Sequence, residues 1–127
     1  MKLEASLICS EWKETNRGFL IEGAFCDSFR ISEYGKELDP FKLLMVIRVS
    51  PTDKPREKIR VRIINDDGET IRESQTAVNF APGKTQRVFL ERVVKGLICT
   101  KDMNYRFDFL LEGHLIEGPS MSVHLAS

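Results

Sequence analysis

The chain has 127 residues, which suits a single domain spanning residues 1–127. Its 19 basic and 19 acidic residues cancel, which argues against a protein whose whole surface is built to bind nucleic acid or anionic lipid. No apolar run approaches the roughly eighteen residues that a membrane-spanning helix needs, and the N-terminus lacks the apolar core of a secretory signal. We therefore predict a soluble, cytoplasmic protein that does not enter a membrane.

Alternation of apolar and polar residues recurs along the chain, whereas sustained helical periodicity does not. The alternation predicts strands at residues 3–9, 19–25, 41–50, 57–64, 86–94 and 103–111, and a last strand carrying Met121, Val123 and Leu125. The segment ISEYGKELDP, residues 31–40, has too few apolar positions for a packed helix and is predicted to cross from one sheet to the other. About seven to nine short strands at this spacing predict an all-β fold, a β-sandwich of mostly antiparallel strands.

The three cysteines, Cys9, Cys26 and Cys99, are widely spaced and form no C-x-x-C pair. Each lies among apolar neighbours. An odd number of separated cysteines in a cytoplasmic protein is typical of reduced thiols that fill the core. We predict buried, free thiols with no catalytic or metal-binding role.

Four segments carry recognisable motifs: GFLIEGAFCDSF, LLMVIRV, EKIRVRIINDDGETI and NYRFDFLLEGHLIEGPSMSVHL. They contain a G-x-F element, an acidic hairpin ending in glycine, and a Tyr-x-Phe strand followed by a short hairpin. The positions concerned are Gly23, Phe25, Asp66, Gly68, Tyr105, Phe107 and Gly113. Together they resemble, over residues 1–126, an uncharacterised bacterial domain family.

The resemblance implies an immunoglobulin-like β-sandwich and brings no established activity with it. One departure from the family pattern is the loop CTKDMNY, which lacks the Pro-Gly expected just ahead of the tyrosine. Tyr105 lies near the start of the penultimate strand. In such sandwiches a tyrosine at this place bonds upstream backbone through its hydroxyl, so we predict a structural role for Tyr105.

The segment IINDDGET concentrates side-chain oxygens at Asn65, Asp66, Asp67 and Glu69. A helix-loop-helix calcium site with Gly68 at its sixth position would place Ile63 at the first position and Ser74 at the twelfth, where ligands are required. The calcium template therefore fails at both ends. We predict a hairpin turn and no metal site.

Two registers fit this hairpin. A three-residue loop of Asp66 to Gly68, which we favour, pairs Asn65 with Glu69, Ile63 with Ile71, and Arg62 with Arg72. A two-residue Asp67-Gly68 turn pairs Arg62 with Glu73 and Ile63 with Arg72 instead. The favoured register has a cost, because like charges directly opposite each other destabilise a sheet.

A basic strip of Lys58, Arg60, Arg62 and Arg72 is the first candidate binding surface. It has the chemistry to receive an anionic ligand or a phosphate backbone. The competing interpretation is a solvated strand face whose charges are met by glutamates on the neighbouring strand. No aromatic residue interleaves with the arginines, so base stacking is unsupported and nucleic acid is not the expected partner.

Catalytic patterns are absent from the sequence. The two histidines, His114 and His124, do not accompany a serine, cysteine or aspartate in a spacing that implies a nucleophile and its base. Glycine-rich phosphate loops are missing as well. We predict that the protein is not an enzyme and carries no cofactor.

Several apolar residues lie on strand faces that the alternation assigns to solvent: Leu44, Val46, Ile64 and Phe89. Trp12, in the polar segment SEWKETNRG, is a further candidate contact. Either a second chain covers these residues or the strands are buried on both faces. We predict a non-catalytic interaction module that binds a protein partner or a second copy of itself through an apolar sheet face. The alternative is an anion or nucleic-acid binder at the basic strip.

Overall fold

The computed structural model describes residues 1–24, 27–55 and 57–126, and within them the chain forms strands, turns and loops with no helix. The all-β prediction is confirmed. Over these described ranges the strands number ten, more than predicted: β1 Lys2–Cys9, β2 Glu11–Thr15, β3 Gly18–Glu22, β4 Ser28–Ile31, β5 Phe41–Val49, β6 Lys58–Ile64, β7 Thr70–Ala77, β8 Gln86–Val94, β9 Met103–Leu111 and β10 His114–Leu125. Phe25 and Cys26 lie outside the described residues.

The strands form three sheets. A three-stranded sheet has the order β1-β5-β8, a five-stranded sheet has the order β4-β10-β9-β6-β7, and β2 and β3 form a separate hairpin. Every pairing is antiparallel except that of β4 with β10. Residues 32–40 lead from β4 in one large sheet to β5 in the other, as predicted for this connection.

One hydrophobic core draws its side chains from both larger sheets. Successive residues of a strand point to opposite faces, so alternate positions of each strand enter the core. In the three-stranded sheet, the central strand β5 contributes Phe41, Leu43, Met45, Ile47 and Val49. The five-stranded sheet contributes Ile59, Val61 and Ile63 from β6, and Tyr105, Phe107, Phe109 and Leu111 from β9. These are the residues that the alternation assigned to the interior.

The segment SEWKETNRG, predicted to be a polar loop, contains β2 and the turn into β3. In β2, Trp12 stands opposite Ile21 and Glu14 opposite Phe19, so one face of the hairpin carries aromatic and aliphatic side chains. With only one apolar residue in Glu11–Thr15, the alternation gave no signal for this strand. Its pairing depends on β3.

The acidic hairpin combines features of both predicted registers. The Asn65 N–H donates to the Glu69 carbonyl at 3.0 Å, and Gly68, with φ of 76°, donates to the Asn65 carbonyl at 3.1 Å. The Asn65 side-chain oxygen accepts from the N–H groups of Asp67 and Glu69. The loop is therefore the three-residue loop that we favoured, with glycine at the position that needs positive φ.

Beyond that loop the pairs of the favoured register are wrong, and those of the alternative register are observed. A bulge between Ile63 and Ile64 shifts the register, so that Arg62 stands opposite Glu73 and Ile63 opposite Arg72. The shift replaces a like-charge pair with an opposite-charge pair, which lowers the energy of the sheet.

Cys9 and Cys99 are buried, as predicted. The Tyr105 hydroxyl lies 3.2 Å from the Cys99 sulfur, which takes the place of the predicted backbone partner. Burial, reinforced by the hydrogen bond with Cys99, raises the pKa of Tyr105 well above its ordinary value. Tyr105 thus closes the core as a neutral phenol.

Candidate functional site

Strand β8 forms an edge of the three-stranded sheet. It pairs with β5 along its whole length, from Gln86 opposite Val49 to Val94 opposite Phe41, without a register shift. No other described strand pairs with it. The edge of β8 that faces away from β5 therefore offers a regular row of backbone hydrogen-bonding groups over nine residues.

The β2–β3 hairpin lies over the outer face of this sheet. The rings of Phe19 and Phe89 are 3.9 Å apart between centroids, and Trp12 lies 5.5 Å from Phe19 and 6.5 Å from Phe89. The Trp12 indole N–H donates to Glu91, which stands directly opposite Leu44. Leu44 is only 2% exposed although it points away from the main core. The chain itself thus covers this part of the outer face.

The five residues predicted to form a partner surface do not form one patch. The hairpin contains Trp12 and covers Leu44 and Phe89, so these three residues lie together. Val46 stands opposite Phe89 and is half-buried. Ile64 belongs to the five-stranded sheet, where it stands opposite Arg106. Ile64 therefore lies apart from the other four residues, because the alternation of a strand does not tell which sheet the strand joins.

Ion pairs join the outer face of the three-stranded sheet to the hairpin. Lys42 contacts Glu11 of the hairpin and lies 3.4 Å from Glu91. The bond to Glu11 is the main cause of a raised pKa at Lys42, and the same bond is the main cause of a lowered pKa at Glu11. Farther along, Glu4 accepts from Arg87 at 2.8 Å. These charges frame the aromatic cluster.

The predicted basic strip loses one of its four members. Lys58, Arg60 and Arg62 lie on the outer face of the five-stranded sheet, whereas the bulge turns Arg72 to the opposite face. Glu73 forms ion pairs with two of these three residues, with 2.9 Å to the Arg60 Nε atom and 3.7 Å to the Arg62 Nε atom. The strip thus matches the competing interpretation, in which a neighbouring glutamate meets the charges.

A cleft of about 190 Å³ opens between the two large sheets, beside β7 and β8. Its lining residues are Leu43, Val61, Ile63, Arg72, Glu73, Ser74, Arg92, Val93, Val94 and Phe107. Arg72 reaches across from β7 and donates to the carbonyls of Lys95 and Gly96. Arg92 occupies a core-facing position of β8, opposite Leu43. Neither role was predicted from the sequence, although Arg92 lies on the apolar phase of QRVFLERVV, which was a visible signal.

No cluster of three or more histidine, cysteine, aspartate or glutamate residues with metal-binding geometry occurs in the described part of the chain. Asp108, the one buried acidic residue within those ranges, accepts two bonds from Arg106, at 2.7 and 2.9 Å. Within the same ranges, no helix is long and apolar enough to cross a membrane. Searches against family models, curated proteins and solved structures returned no match for this chain, so its function has to be inferred from its own geometry.

Proposed function

We propose that the protein is a non-catalytic interaction module in which two copies pair through strand β8. The observation that carries this proposal is the self-complementary order of side chains along β8. In an antiparallel pair with its two-fold axis at Phe89, Arg87 of each copy stands opposite Glu91 of the other. Two opposite-charge pairs then flank a Phe89 pair on the outer face.

The inner face of the same register is complementary as well. Val88 of one copy stands opposite Leu90 of the other, and Gln86 stands opposite Arg92. Each favourable cross-strand pair contributes about 0.2–1 kcal/mol, in addition to the backbone hydrogen bonds of the new ladder. The result is a continuous sheet of six strands, three from each copy.

The other edge strands of the two large sheets, β1, β4 and β7, carry features that discourage such pairing. β1 has a bulge between Leu3 and Ala5, β4 has only four residues, and β7 follows the bulged register of its partner β6. Bulges and short strands are devices that protect edges from pairing. β8 has no bulge, no proline and no lysine between Gln86 and Val94, and its one inward-facing charge, Arg92, stands opposite the neutral Gln86 in the proposed pair. This contrast supports β8 as the surface that is meant to pair.

Charge reversal tests the register directly. Arg87→Glu or Glu91→Arg alone sets like charges opposite each other at both ends of the pair, and we expect either variant to weaken association roughly thirtyfold. The double variant Arg87→Glu with Glu91→Arg restores both opposite-charge pairs and the association; it lacks the Glu91 contacts to Trp12 and Lys42 just as Glu91→Arg does, so the difference between these two variants reports the charge pairs alone. Sedimentation equilibrium over a concentration series measures the effect.

Arg48→Glu is the matched control. Arg48 shares Glu4 with Arg87 and is similarly exposed, 58% against 61%, but it lies on the central strand β5. We expect Arg48→Glu to associate like the unaltered protein. The proposal fails if the unaltered protein stays monomeric throughout the concentration series, or if the two single reversals associate as strongly as Arg48→Glu.

The fold family and the cellular setting are part of the same proposal. Two packed, mainly antiparallel sheets support an immunoglobulin-like sandwich, as in the bacterial family that the sequence resembles. The buried Cys99, whose sulfur lies against the Tyr105 hydroxyl, supports a reducing, cytoplasmic setting. The alternative of anion or nucleic-acid binding at the basic strip has less support, because Glu73 already pairs with Arg60 and Arg62.

A further inference from the structure

We infer that the cleft between β7 and β8 binds a small amphipathic carboxylate, with an apolar tail between the sheets and its carboxylate at Arg92. This inference goes beyond the proposed self-association and does not depend on it. The cleft lies on the inner side of β8, whereas the charge pairs that fix the proposed register, Arg87 with Glu91, lie on the outer side.

The floor of the cleft is apolar and comes from both sheets. It consists of Leu43, Val61, Ile63, Val94 and Phe107, none of which is more than 5% exposed. An engineered apolar cavity of about 150 Å³ holds benzene, so a cleft of this size accommodates a tail of about eight carbon atoms. An aliphatic chain thus matches the floor in both size and polarity.

Arg92 supplies the charge that the ligand must match. It faces inward and is half-buried, yet its guanidinium makes no hydrogen bond or ion pair with any residue that the structure describes. Removing a charged group from water is costly, so a partner of opposite charge stabilises a guanidinium at such a position. A carboxylate at the mouth fits the planar fork of the guanidinium and satisfies it.

The remaining charges at the mouth leave this cation unmatched. Arg72 adds a second positive charge while its guanidinium holds the Lys95 and Gly96 carbonyls. Glu73 also lines the rim, but its carboxylate is engaged by Arg60 and Arg62. In the proposed pairing, the residue opposite Arg92 is Gln86 of the second copy, which is neutral. The electrostatics therefore favour an anionic headgroup.

Titration with octanoate, followed by amide chemical shifts of the isotope-labelled protein, tests the site. We expect the shift changes to centre on Leu43, Val61, Val94 and the strand around Arg92. Acetate has the same headgroup and no tail, and 1-octanol has the tail and no charge, so both should bind about tenfold more weakly or worse. Equal binding of acetate and octanoate, or shift changes centred away from the cleft, would overturn the inference.

Variants separate the headgroup contact from general effects. Arg92→Gln should weaken octanoate binding about tenfold and leave 1-octanol binding unchanged. Arg87→Gln, on the outer face of the same strand, should bind octanoate like the unaltered protein. If both variants bind octanoate equally well, Arg92 does not hold the carboxylate.

The Arg87→Glu variant tests whether the cleft and the pairing edge are independent. This variant is impaired in pairing under the proposed function and should retain octanoate binding. Loss of octanoate binding in Arg87→Glu would contradict the independence of the two sites.

Discussion

The outer faces of the two large sheets differ in how they meet solvent. The outer face of the three-stranded sheet is apolar at Leu44 and Phe89, and the β2–β3 hairpin folds over it. The outer face of the five-stranded sheet carries arginines and acids, which form ion pairs with one another on that face. An apolar face needs a cover, whereas a charged face needs only neighbours of opposite sign.

The largest expected effect in this comparison comes from Leu44→Ala. Because Leu44 is buried beneath the hairpin, we expect the variant to lose about 2–4 kcal/mol of unfolding free energy. Leu110→Ala is the matched control, since Leu110 is a half-buried leucine on the outer face of the other sheet. Its loss should be about 1 kcal/mol. Urea denaturation measures both, and equal losses would show that the hairpin does not make one face into a second core.

An intermediate effect is expected from Asp108→Ala on the charged face. Asp108 is 1% exposed and holds Arg106 through two hydrogen bonds. Its removal leaves Arg106 without its main partner, and we expect a loss of about 1–3 kcal/mol. Glu73→Gln, which alters a more exposed acid on the same face, should cost less. If the two variants are equally stable in urea denaturation, the buried acid is no more important than the exposed one.

The smallest effect concerns the ion pair that ties the hairpin to the covered sheet. Contact with Lys42 lowers the pKa of Glu11 below its ordinary value of 4.5. The stabilisation is therefore present above pH 4.5 and is lost as the pH falls through the lowered pKa. Thermal unfolding of the unaltered protein and of Lys42→Met, compared at neutral and acidic pH, should show the difference between them shrinking in acid. A constant difference would mean that Glu11 does not titrate with the hairpin in place.

Local pattern was sufficient to predict much of the fold. Strands β1, β5, β6, β8 and β9 were predicted within one or two residues, because strict alternation is a local consequence of burying one face of a strand. The loop of Asp66 to Gly68 was also predicted, since Asn65 and Gly68 carry the conformational preferences of that turn. These features depend on residues within one strand or one turn.

The candidate sites were harder to predict, because each depends on contacts between distant residues. Glu11–Thr15 becomes a strand only when β3 pairs with it, and Leu44 is covered only because Trp12 reaches Glu91, 79 residues farther along the chain. Arg72 changes face because of one bulge, which no alternation pattern announces.

What the sequence by itself determined is the position of β1, β5, β6, β8 and β9, their core-facing phases and the central turn, since side-chain direction and turn chemistry are local properties. What only the tertiary structure decided is which strands lie side by side. That choice left β8 at an edge, covered Leu44 with the chain's own hairpin, and placed Arg92 at the mouth of an apolar cleft. The physical reason is that strand order is set by the summed burial and pairing of many distant residues, of which a single strand carries only its own share.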